Sequence, residues 1–461
     1  MAITVNAPSV FPQVLAAALA SLSAFMGGAA YGWSSPVGVK LTSNQTETPL
    51  GTSISPESDE YAWISSLMIA GVLLSPLLTT HLPDRIGRKW TLLFSSIFFL
   101  VADILFIFAY EVWIMYIGRI LQGCGAGFII TTLPLYLGEI TTDNTRGPLG
   151  TFFSLFLTGG ILFSYAVGAY TSYYVLQYAC LALPIIFTGT FVFMPESPFY
   201  LIAKGRKDDA IKSLQFFRRQ PADKFEEDIK VMQELHEEAA QRKTSIWAII
   251  KNKGNLKAFL ICWGLISFQQ LTGLQAVLFN TQIILEKANA GVDSGLGAVI
   301  TGSFQLVISI FTPLITDNFK RKTILLYSTA IATLGLLSLG TFFYLDATNV
   351  DTSSISWLPL VSLIVFMTFT TIGFTPIPFV IIGEIFSEDI KFIASAVLAV
   401  NGAIITFILT RFYPAMETIG DYFPFWLFAG LSVLACVFVC TVVFETKGLS
   451  LKEIQDKLNG R

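Results

Sequence analysis

Amide side chains are concentrated in one apolar stretch of the chain, around Gly273. Gln269 and Gln270 precede this glycine and Gln275 follows it, in a segment otherwise made largely of apolar residues. A buried amide is costly unless it is hydrogen-bonded, so such groups either join helices or line a wet pocket. A glycine here can loosen a helix and turn successive amides toward one cavity. The pattern predicts a pocket for a solute rich in hydroxyl groups, with interhelical hydrogen bonding as the alternative.

Charged residues form a second pattern, in which the same short motifs occur twice. Each copy has a loop of acids and bases, then Gly-Glu-Ile followed by a base, then a single Glu, and the copies are about 230 to 250 residues apart. Such groups can form exposed ion pairs worth roughly 0 to 1 kcal/mol each, which break and re-form readily. The pattern predicts a switchable ion-pair network. The alternative is that the basic residues serve only to set the orientation of the chain in the membrane. The residues are Asp84, Arg85, Arg88, Lys89, Glu139, Arg146 and Glu196, and then Asp317, Arg321, Lys322, Glu384, Lys391 and Glu445.

Residue types needed for catalysis or metal binding are sparse and scattered. The two histidines, His81 and His236, are far apart, and neither accompanies a nucleophile. The five cysteines lie in apolar stretches without metal-ligand spacing. The net charge of −3 is small and gives no argument for nucleic-acid binding. We therefore expect no enzyme activity, no metal or other cofactor, and no nucleic-acid partner.

The elements that must position these residues are long apolar segments. Hydrophobic residues make up 53% of the chain and charged residues 13%, whereas soluble domains carry about 25% charged residues. Segments of about 20 residues with few charges recur, and each is long enough to cross a bilayer as a helix. The sequence predicts an all-α membrane protein with twelve spans, at residues 11–34, 61–81, 90–110, 112–137, 148–171, 173–193, 256–283, 293–316, 323–345, 357–383, 392–417 and 422–443.

The distribution of basic residues predicts the orientation in the membrane. If both termini are cytoplasmic, about 25 of the 29 Lys and Arg residues fall in the cytoplasmic loops and tails. Only Lys40 and Lys287 then fall in the extracellular loops. The first 39 residues carry no charge, so the basic region of a cleavable signal peptide is absent and the first span is expected to be retained. In this topology the sequon Asn44-Gln45-Thr46 is extracellular, and we expect Asn44 to be glycosylated.

The repeated motifs divide the chain into two related halves. Ile229, Met232 and Leu235 recur at helical spacing between them, which predicts short cytoplasmic helices, a disordered linker being the alternative. Two parallel six-helix repeats are typical of carriers that bind substrate near the midplane and rock one half against the other. The charged network is then expected to pair across the bundles when the inner side is closed. The predicted divisions are a first bundle at 1–193, a linker at 194–255, a second bundle at 256–443 and a tail at 444–461.

Taken in order, these motifs resemble the sugar porter family of the major facilitator superfamily, which includes animal facilitative glucose transporters and insect facilitated trehalose transporters. The resemblance spans almost the whole chain, and residues 32–36, Gly-Trp-Ser-Ser-Pro, are most similar to the insect branch. It implies the major facilitator fold and adds Arg119 to the predicted network. The motifs lie at 84–89, 118–119, 134–139 with 146–147, 195–198, 269–273, 376–378 before Glu384, and 445–448.

The resemblance also implies roles for individual residues. Asn280, where many relatives carry Tyr, corresponds to a gate residue near the external end. Phe379 would form an apolar wall for a sugar ring, with lipid-facing or core packing as the alternative. Gly373, Pro376 and Pro378 weaken the tenth span, which suits a moving gate, a static kink being the alternative. The implied sugar-contacting positions are Gln269, Gln270, Gln275, Gln305, Asn401 and Ser154, the last standing where glucose carriers have Gln.

Departures from the family pattern bear on the mechanism. Proton-coupled sugar porters carry an acid at the position of Ser34, so we expect facilitated uniport, with Asp103 as the candidate for proton coupling. Glucose carriers place an acid and a Trp at Thr371 and Phe379, which leaves the substrate open between a hexose and trehalose. A proton-coupled symporter and a non-transporting sugar sensor are the alternatives. We expect a monomer in the lipid bilayer of the plasma membrane, with a small-molecule sugar as its substrate.

Overall fold

The computed structural model consists of helices throughout the part of the chain that it describes. The predicted glycosylation site at Asn44 and part of the predicted linker lie outside the described residues. Within those residues every regular element is an α-helix or a short 3₁₀ turn. The described residues are 10–43, 47–79, 81–241, 249 and 252–459.

The first half contains nine helices among its described residues. Local signals set their ends: the hydroxyl of Ser58 accepts a hydrogen bond from the backbone N–H of Tyr61 at the start of α2, and Asp59 and Glu60 favour the positive end of that helix. The helices are α1 (Phe11–Thr42), α2 (Asp59–Leu74), α3 (Pro76–Thr79), α4 (Leu82–Ile86), α5 (Arg88–Ile107), α6 (Val112–Ile140), α7 (Asp143–Gly150), α8 (Phe152–Tyr170) and α9 (Tyr173–Phe191).

Short helices and the second half follow. The described part of the predicted linker is helical, and Ile229 is buried on the helix that the sequence pattern predicts. The linker helices are α10 (Pro198–Ala203), α11 (Lys207–Arg218) and α12 (Glu226–Gln241), with a 3₁₀ turn at Ala222–Phe225. The remaining helices are α13 (Lys253–Leu271), α14 (Leu274–Lys287), α15 (Ser294–Asn318), α16 (Arg321–Ala347), α17 (Leu358–Ile372), α18 (Ile377–Ile385), α19 (Glu388–Glu417), α20 (Phe423–Thr441) and α21 (Leu451–Asn459), with a 3₁₀ turn at Ser353–Ile355.

The predicted spans correspond to these helices, and two of the spans are broken. Eleven segments of the described chain are long and apolar enough to cross a membrane, and the twelfth span is α2, which ends just before Pro76. Helices α13 and α14 form one span interrupted at Gly273, whose φ of 77° is in the left-handed region that favours glycine. Helices α17 and α18 form another, interrupted at residues 373–376. The predicted all-α fold is confirmed.

The two halves meet along three pairs of helices. Helix α1 contacts α14, α2 contacts α19, and α8 contacts α15. We call the end of the bundle that carries Asp59 and Arg411 the outer end, and the end that carries Arg88 and Arg321 the inner end, following the topology predicted from the basic residues. At the outer end Arg411 of α19 donates to Asp59 of α2 over 2.7 Å, and its guanidinium lies 4.7 Å from the ring centre of Trp63. This ion pair joins one half to the other.

Short helices pack against the inner end of the bundle. Helix α11 contacts α1, where the amide of Gln13 donates to the Phe217 carbonyl and its oxygen accepts from the Thr145 hydroxyl. Helix α21 contacts α13 and α18 and buries Ile454 and Leu458 against them. The described linker and tail therefore belong to the folded structure rather than forming free segments.

Close helix packing in the first half generates a stability prediction at Gly28. A Cβ at this position would lie 1.9 Å from the Leu157 carbonyl oxygen of α8, so Gly28→Ala must push α1 away from α8. We expect the free energy of unfolding to fall by about 1 to 3 kcal/mol. The control is Gly189→Ala in α9, where nothing lies within 4 Å of the added atom and helix propensity improves. Equal melting temperatures for the two purified variants would contradict this packing.

Candidate functional site

The first part of the candidate site is the contact that closes the outer end around α14. The Tyr61 hydroxyl donates to Asn280 Oδ1 over 2.9 Å, and the Tyr165 hydroxyl donates to the Leu278 carbonyl over 2.7 Å. Both tyrosines belong to the first half, whereas α14 belongs to the second. The structure thus places Asn280, predicted as a gate residue, in a contact between the halves.

Stacking and hydrogen bonding extend this closure to α1. The rings of Tyr31 and Phe279 stack with centroids 6.1 Å apart, and the backbone N–H of Gln282 donates to Ser35 Oγ over 3.0 Å. Side chains of α1, α2 and α8 therefore all hold α14 in place. The outer end is closed by groups whose individual bonds are weak enough to part.

A chain of hydrogen-bonded amides lies at the break between α13 and α14. The Thr406 hydroxyl of α19 donates to Gln270 Oε1 over 2.9 Å, and Gln270 Nε2 donates to Gln269 Oε1 over 3.4 Å. Gln269 Nε2 then donates to the backbone carbonyls of Phe374 and Thr375 over 2.6 and 3.2 Å. The chain joins α19, α13 and the break after α17, so residues from distant parts of the sequence meet at the two predicted glutamines.

Other predicted polar residues lie close to this chain or along the seam between the halves. Asn401 Nδ2 donates to the Ser267 hydroxyl over 2.9 Å, which places it on the same α13–α19 contact. The buried Oε1 of Gln275 has no hydrogen-bond partner among the described residues. Gln305 is 7% exposed, one turn from Ser309, whose hydroxyl lies 3.1 Å from that of Thr158 on α8.

Phe379 and Ser154 are both exposed. The ring of Phe379 is 57% exposed, so this residue is not part of the packed core. The Ser154 hydroxyl donates to the Thr151 carbonyl within its own helix and leaves its oxygen free to accept. Among the described residues the Ser154 hydroxyl is not hydrogen-bonded to the amide chain, and the contacts of Ser154 and Phe379 with a sugar remain predictions.

The inner end of the first half carries the predicted charged network. Arg88 Nε donates to Glu139 over 3.0 Å, and its Nη1 pairs with Asp84 over 2.9 Å. The Ser197 hydroxyl donates to the same Glu139 carboxylate. Glu196 accepts the backbone N–H of Lys89 over 3.0 Å, which caps the start of α5. Burial raises the pKa of Glu196, and the N–H groups that point at it oppose that rise.

The second half repeats the contacts of the two glutamates in this arrangement. Arg321 pairs with Glu384 over 3.1 Å, and the Thr446 hydroxyl donates to Glu384 over 2.5 Å. Glu445 accepts the backbone N–H groups of Arg321 and Lys322 over 3.0 and 3.1 Å, at the start of α16. These pairs fasten helices within each half. The predicted pairing across the bundles belongs to the arrangement in which the inner side is closed, and it stays a prediction.

The remaining predicted network residues lie around these clusters. The Arg85 carbonyl accepts the Tyr200 hydroxyl, and the Asp317 carbonyl accepts Lys447 Nζ. Lys322 Nζ donates to the Cys440 carbonyl. Lys89 Nζ lies 5.2 Å from the ring centre of Trp90. Arg146 lies in α7 and Lys391 in the first turn of α19, the corresponding positions of the two halves.

Arg119 is not brought to this network; it lies fully buried within the first half. Its guanidinium donates to the Ile64 and Ala30 carbonyls, to Gln122 Oε1 over 2.8 Å and to Ser34 Oγ over 2.7 Å. Gln122 in turn donates to Asp103 over 3.3 Å. The position at which Ser34 stands therefore faces a buried cation, and Asp103 is linked to that cation only through an amide.

Several residues of the site were not predicted from the sequence. Tyr61 and Tyr165 close the outer end, and Thr406 holds Gln270. Serine and threonine hydroxyls in membrane helices usually bond to a carbonyl one turn earlier, and tyrosines are common near the membrane–water interface, so the positions of these residues in the sequence carried no distinguishing signal. Among the described residues no group of three His, Cys, Asp or Glu side chains is arranged to hold a metal ion.

Comparisons with known proteins identify the family and the fold of the chain. Residues 17–458 match the family described as sugar (and other) transporter. The chain is 34% identical to the facilitated trehalose transporter Tret1 of Polypedilum vanderplanki, over 99% of this chain and 90% of that protein. It is 32% identical to Tret1 of Anopheles gambiae, over 99% of this chain and 57% of that protein. The inward-open structure of the xylose transporter XylE from E. coli matches with a TM-score of 0.78 and 20% identity, over 97% of this chain and 100% of that one, which shows the fold alone.

The repeated capping of helix starts generates a prediction for Glu445. Glu445→Ala removes the charged acceptor of two backbone N–H groups at the start of α16, so the free energy of unfolding should fall by about 1 to 3 kcal/mol. Glu227→Ala, at an exposed position of α12, serves as the control and should change it by less than about 0.5 kcal/mol. Thermal unfolding of both purified variants in detergent measures the difference. A loss at Glu445 no larger than the control's would mean that these N–H groups find water instead.

Proposed function

The chain belongs to the sugar transporter family, and we propose that it carries a hexose or trehalose across the plasma membrane by facilitated, alternating access. The observation that supports this most directly is the amide chain of α13 and α19. It lies at the interruption of one span and reaches the interruption of another. Interrupted helices with polar groups at membrane depth are typical of carrier binding sites.

Sugar binding would use the amides whose hydrogen-bonding capacity is not exhausted. Gln270 is half-buried and has a second N–H hydrogen and a second oxygen lone pair available. The buried Oε1 of Gln275 lacks a protein partner, and a sugar hydroxyl can supply one. Asn401 and Gln305 add amides on α19 and α15, Phe379 an apolar face, and Ser154 a hydroxyl from the first half.

Alternating access follows from contacts that lie at the two ends of the bundle. The outer end is closed by the contacts of α14 with the first half and by the pair between Arg411 and Asp59. Opening it requires parting hydrogen bonds, aromatic and cation–π contacts and one ion pair between the described residues of the two halves. The inner networks hold each half together, so the halves move as units.

Uniport is supported by the surroundings of Ser34. Its neutral hydroxyl accepts a hydrogen bond from Arg119. This position therefore has no carboxylate that could bind and release a proton during transport. Asp103 offers the second candidate function, proton-coupled symport, because it is buried and linked to Arg119 through Gln122. In the proposed uniporter Asp103 and Gln122 serve to position the guanidinium.

The finer assignments complete the proposal. In this proposal both termini lie in the cytoplasm, Asn44 carries a glycan on the extracellular side, and the transporter works as a monomer. Trehalose is favoured over other sugars by the names of the similar insect proteins. Thr371 and Phe379, which stand where glucose carriers have an acid and a Trp, are consistent with a sugar other than glucose.

The test of uniport is sugar uptake into proteoliposomes with and without a proton gradient. We expect initial rates of net uptake of labelled trehalose or a hexose to lie within about twofold of each other in the two conditions, because no proton-binding step limits the cycle. Asp103→Asn should show the same independence. Uphill accumulation that a protonophore abolishes, and that Asp103→Asn loses, would establish symport instead.

Gln270 provides the test of the sugar site. Gln270→Ala removes a partner for a sugar hydroxyl and should weaken binding by about 1 to 3 kcal/mol, or roughly 5- to 150-fold. Thr406→Val removes only the hydroxyl that holds Gln270 and should act in the same direction with a smaller effect. Binding of the best-transported sugar and the ligand-free melting temperature are both measured. Unchanged affinity beside a lowered melting temperature would make Gln270 an interhelical contact, whose loss averages about 0.6 kcal/mol.

A further inference from the structure

Helix α14 is separated from the rest of its span, and side chains decide which half it moves with. It begins after Gly273, whose left-handed backbone ends α13. In this structure it contacts α1 of the first half, and Tyr31, Tyr61 and Tyr165 of that half hold it through stacking and hydrogen bonds. The helix belongs to the second half in sequence, so some contact must make it follow that half when the outer end opens.

A partly buried ion cluster ties the far end of α14 to the second half. Lys287, the last residue of α14, donates through Nζ to Glu417 Oε2 over 3.1 Å and to Asp421 Oδ1 over 2.8 Å. Glu417 is the last residue of α19 and is 7% exposed. A carboxylate that is buried at the negative end of a helix needs a cation, and a lysine is favoured at the negative end of α14. The cluster is therefore costly to break by removing the lysine alone.

The helix at the other side of this cluster carries the second contact between the halves. Arg411 of α19 pairs with Asp59 of the first half over 2.7 Å. Helix α19 is unbroken from Arg411 to Glu417, across Pro414, a distance of less than about two turns. Lys287 thus connects the helix that meets the tyrosines of the first half with the helix that forms the ion pair.

We infer that Lys287 is a positioning residue that couples α14 to α19, so that the two groups of outer contacts part together. The inference rests on the proposed alternating access. Without the lysine, α14 can stay on the first half while α19 leaves it. With the lysine in place, loss of the pair between Arg411 and Asp59 also favours separation of α14. Such a coupling is a free energy shared by two sites, so it is measured by changing one site and observing the other.

The experiment changes the contact of α19 and observes the contact of α14. Ser35→Cys places a thiol on α1 where the serine hydroxyl accepts the backbone N–H of Gln282 of α14. Ser35 is 0% exposed, so this thiol reacts with a membrane-impermeant maleimide only when the contact opens. Initial labelling rates are measured from outside intact cells, with and without Arg411→Gln. Every protein carries Cys436→Ala and Cys440→Ala, and the chain without Ser35→Cys gives the background.

The coupling predicts that the effect of Arg411 on the thiol depends on Lys287. With Lys287 present, Arg411→Gln should raise the labelling rate about fivefold or more. In the Lys287→Met background it should raise the rate by less than about twofold, because α14 no longer follows α19. Lys287→Arg keeps a cation for the two acids and should restore the large effect. Lys40→Met is the matched control: this lysine at the outer end donates to the Thr171 carbonyl within the first half, and its loss should leave the large effect unchanged.

Two results would overturn the coupling. One is an effect of Arg411→Gln that persists undiminished in the Lys287→Met background, and the other is the absence of that effect when Lys287 is in place. Lys287→Met leaves Glu417 without its cation and can therefore prevent folding. The combination of Lys287→Met with Glu417→Gln removes both charges, and it should abolish the effect of Arg411→Gln in the same way.

Labelling requires no sugar, so this test is separate from that of the proposed function. A chain whose labelling depends on Lys287 as expected, but which carries no sugar into proteoliposomes, would support the coupling and contradict the transport function. A chain that carries sugar, but in which the effect of Arg411→Gln does not depend on Lys287, would overturn the coupling alone.

Discussion

Backbone groups in hydrocarbon have no water to bond with, and this constraint shapes the centre of the molecule. The chain interrupts two spans at membrane depth, at Gly273 and at residues 373–376, and each interruption removes helical hydrogen bonds. Side chains compensate: the Thr272 hydroxyl donates to the Gln269 carbonyl, and Gln269 Nε2 donates to the carbonyls of the other break. Polar residues near a broken helix therefore hydrogen-bond to the backbone carbonyls that the break leaves unpaired. The proposed sugar site would use amides with hydrogen-bonding capacity to spare, such as those of Gln270 and Gln275.

Side chains also hydrogen-bond to backbone groups at the inner end, where the two halves have similar networks. In each half an Arg pairs with a Glu, a hydroxyl donates to that Glu, and a second Glu caps the start of a helix. Arg88, Glu139 and Glu196 correspond to Arg321, Glu384 and Glu445. Because these bonds lie within a half, they make it rigid, which rocking of one half against the other requires. The outer contacts are not repeated in this way, since α14 of one half meets three different helices of the other.

Much of this architecture follows from the sequence because its causes are local or repeated. Length and apolarity predict the spans, and the repeat predicts two halves. The short motifs single out the charged residues, and the structure pairs Arg88 with Glu139 within the first half, whereas pairing between the bundles stays a prediction. Glycine and proline also predict where helices break, since φ at Gly273 and the missing N–H of Pro378 are properties of single residues. The sequence also singles out the glutamines around Gly273 as unusual polar residues in an apolar segment. The pattern leaves open which of them bind protein and which face a cavity.

Partner choice is what only the tertiary structure decided. Gln269 and Gln270 are adjacent and chemically identical, yet one is committed to the carbonyls of Phe374 and Thr375, and the other is held by Thr406 with capacity remaining. Arg119, which the resemblance adds to the network, is instead fully buried within the first half, against Ser34 and Gln122. The sequence determined which groups are polar, apolar or unable to donate. The structure determined their partners, because a hydrogen bond depends on distances of about 3 Å between residues that are up to hundreds of positions apart in the chain.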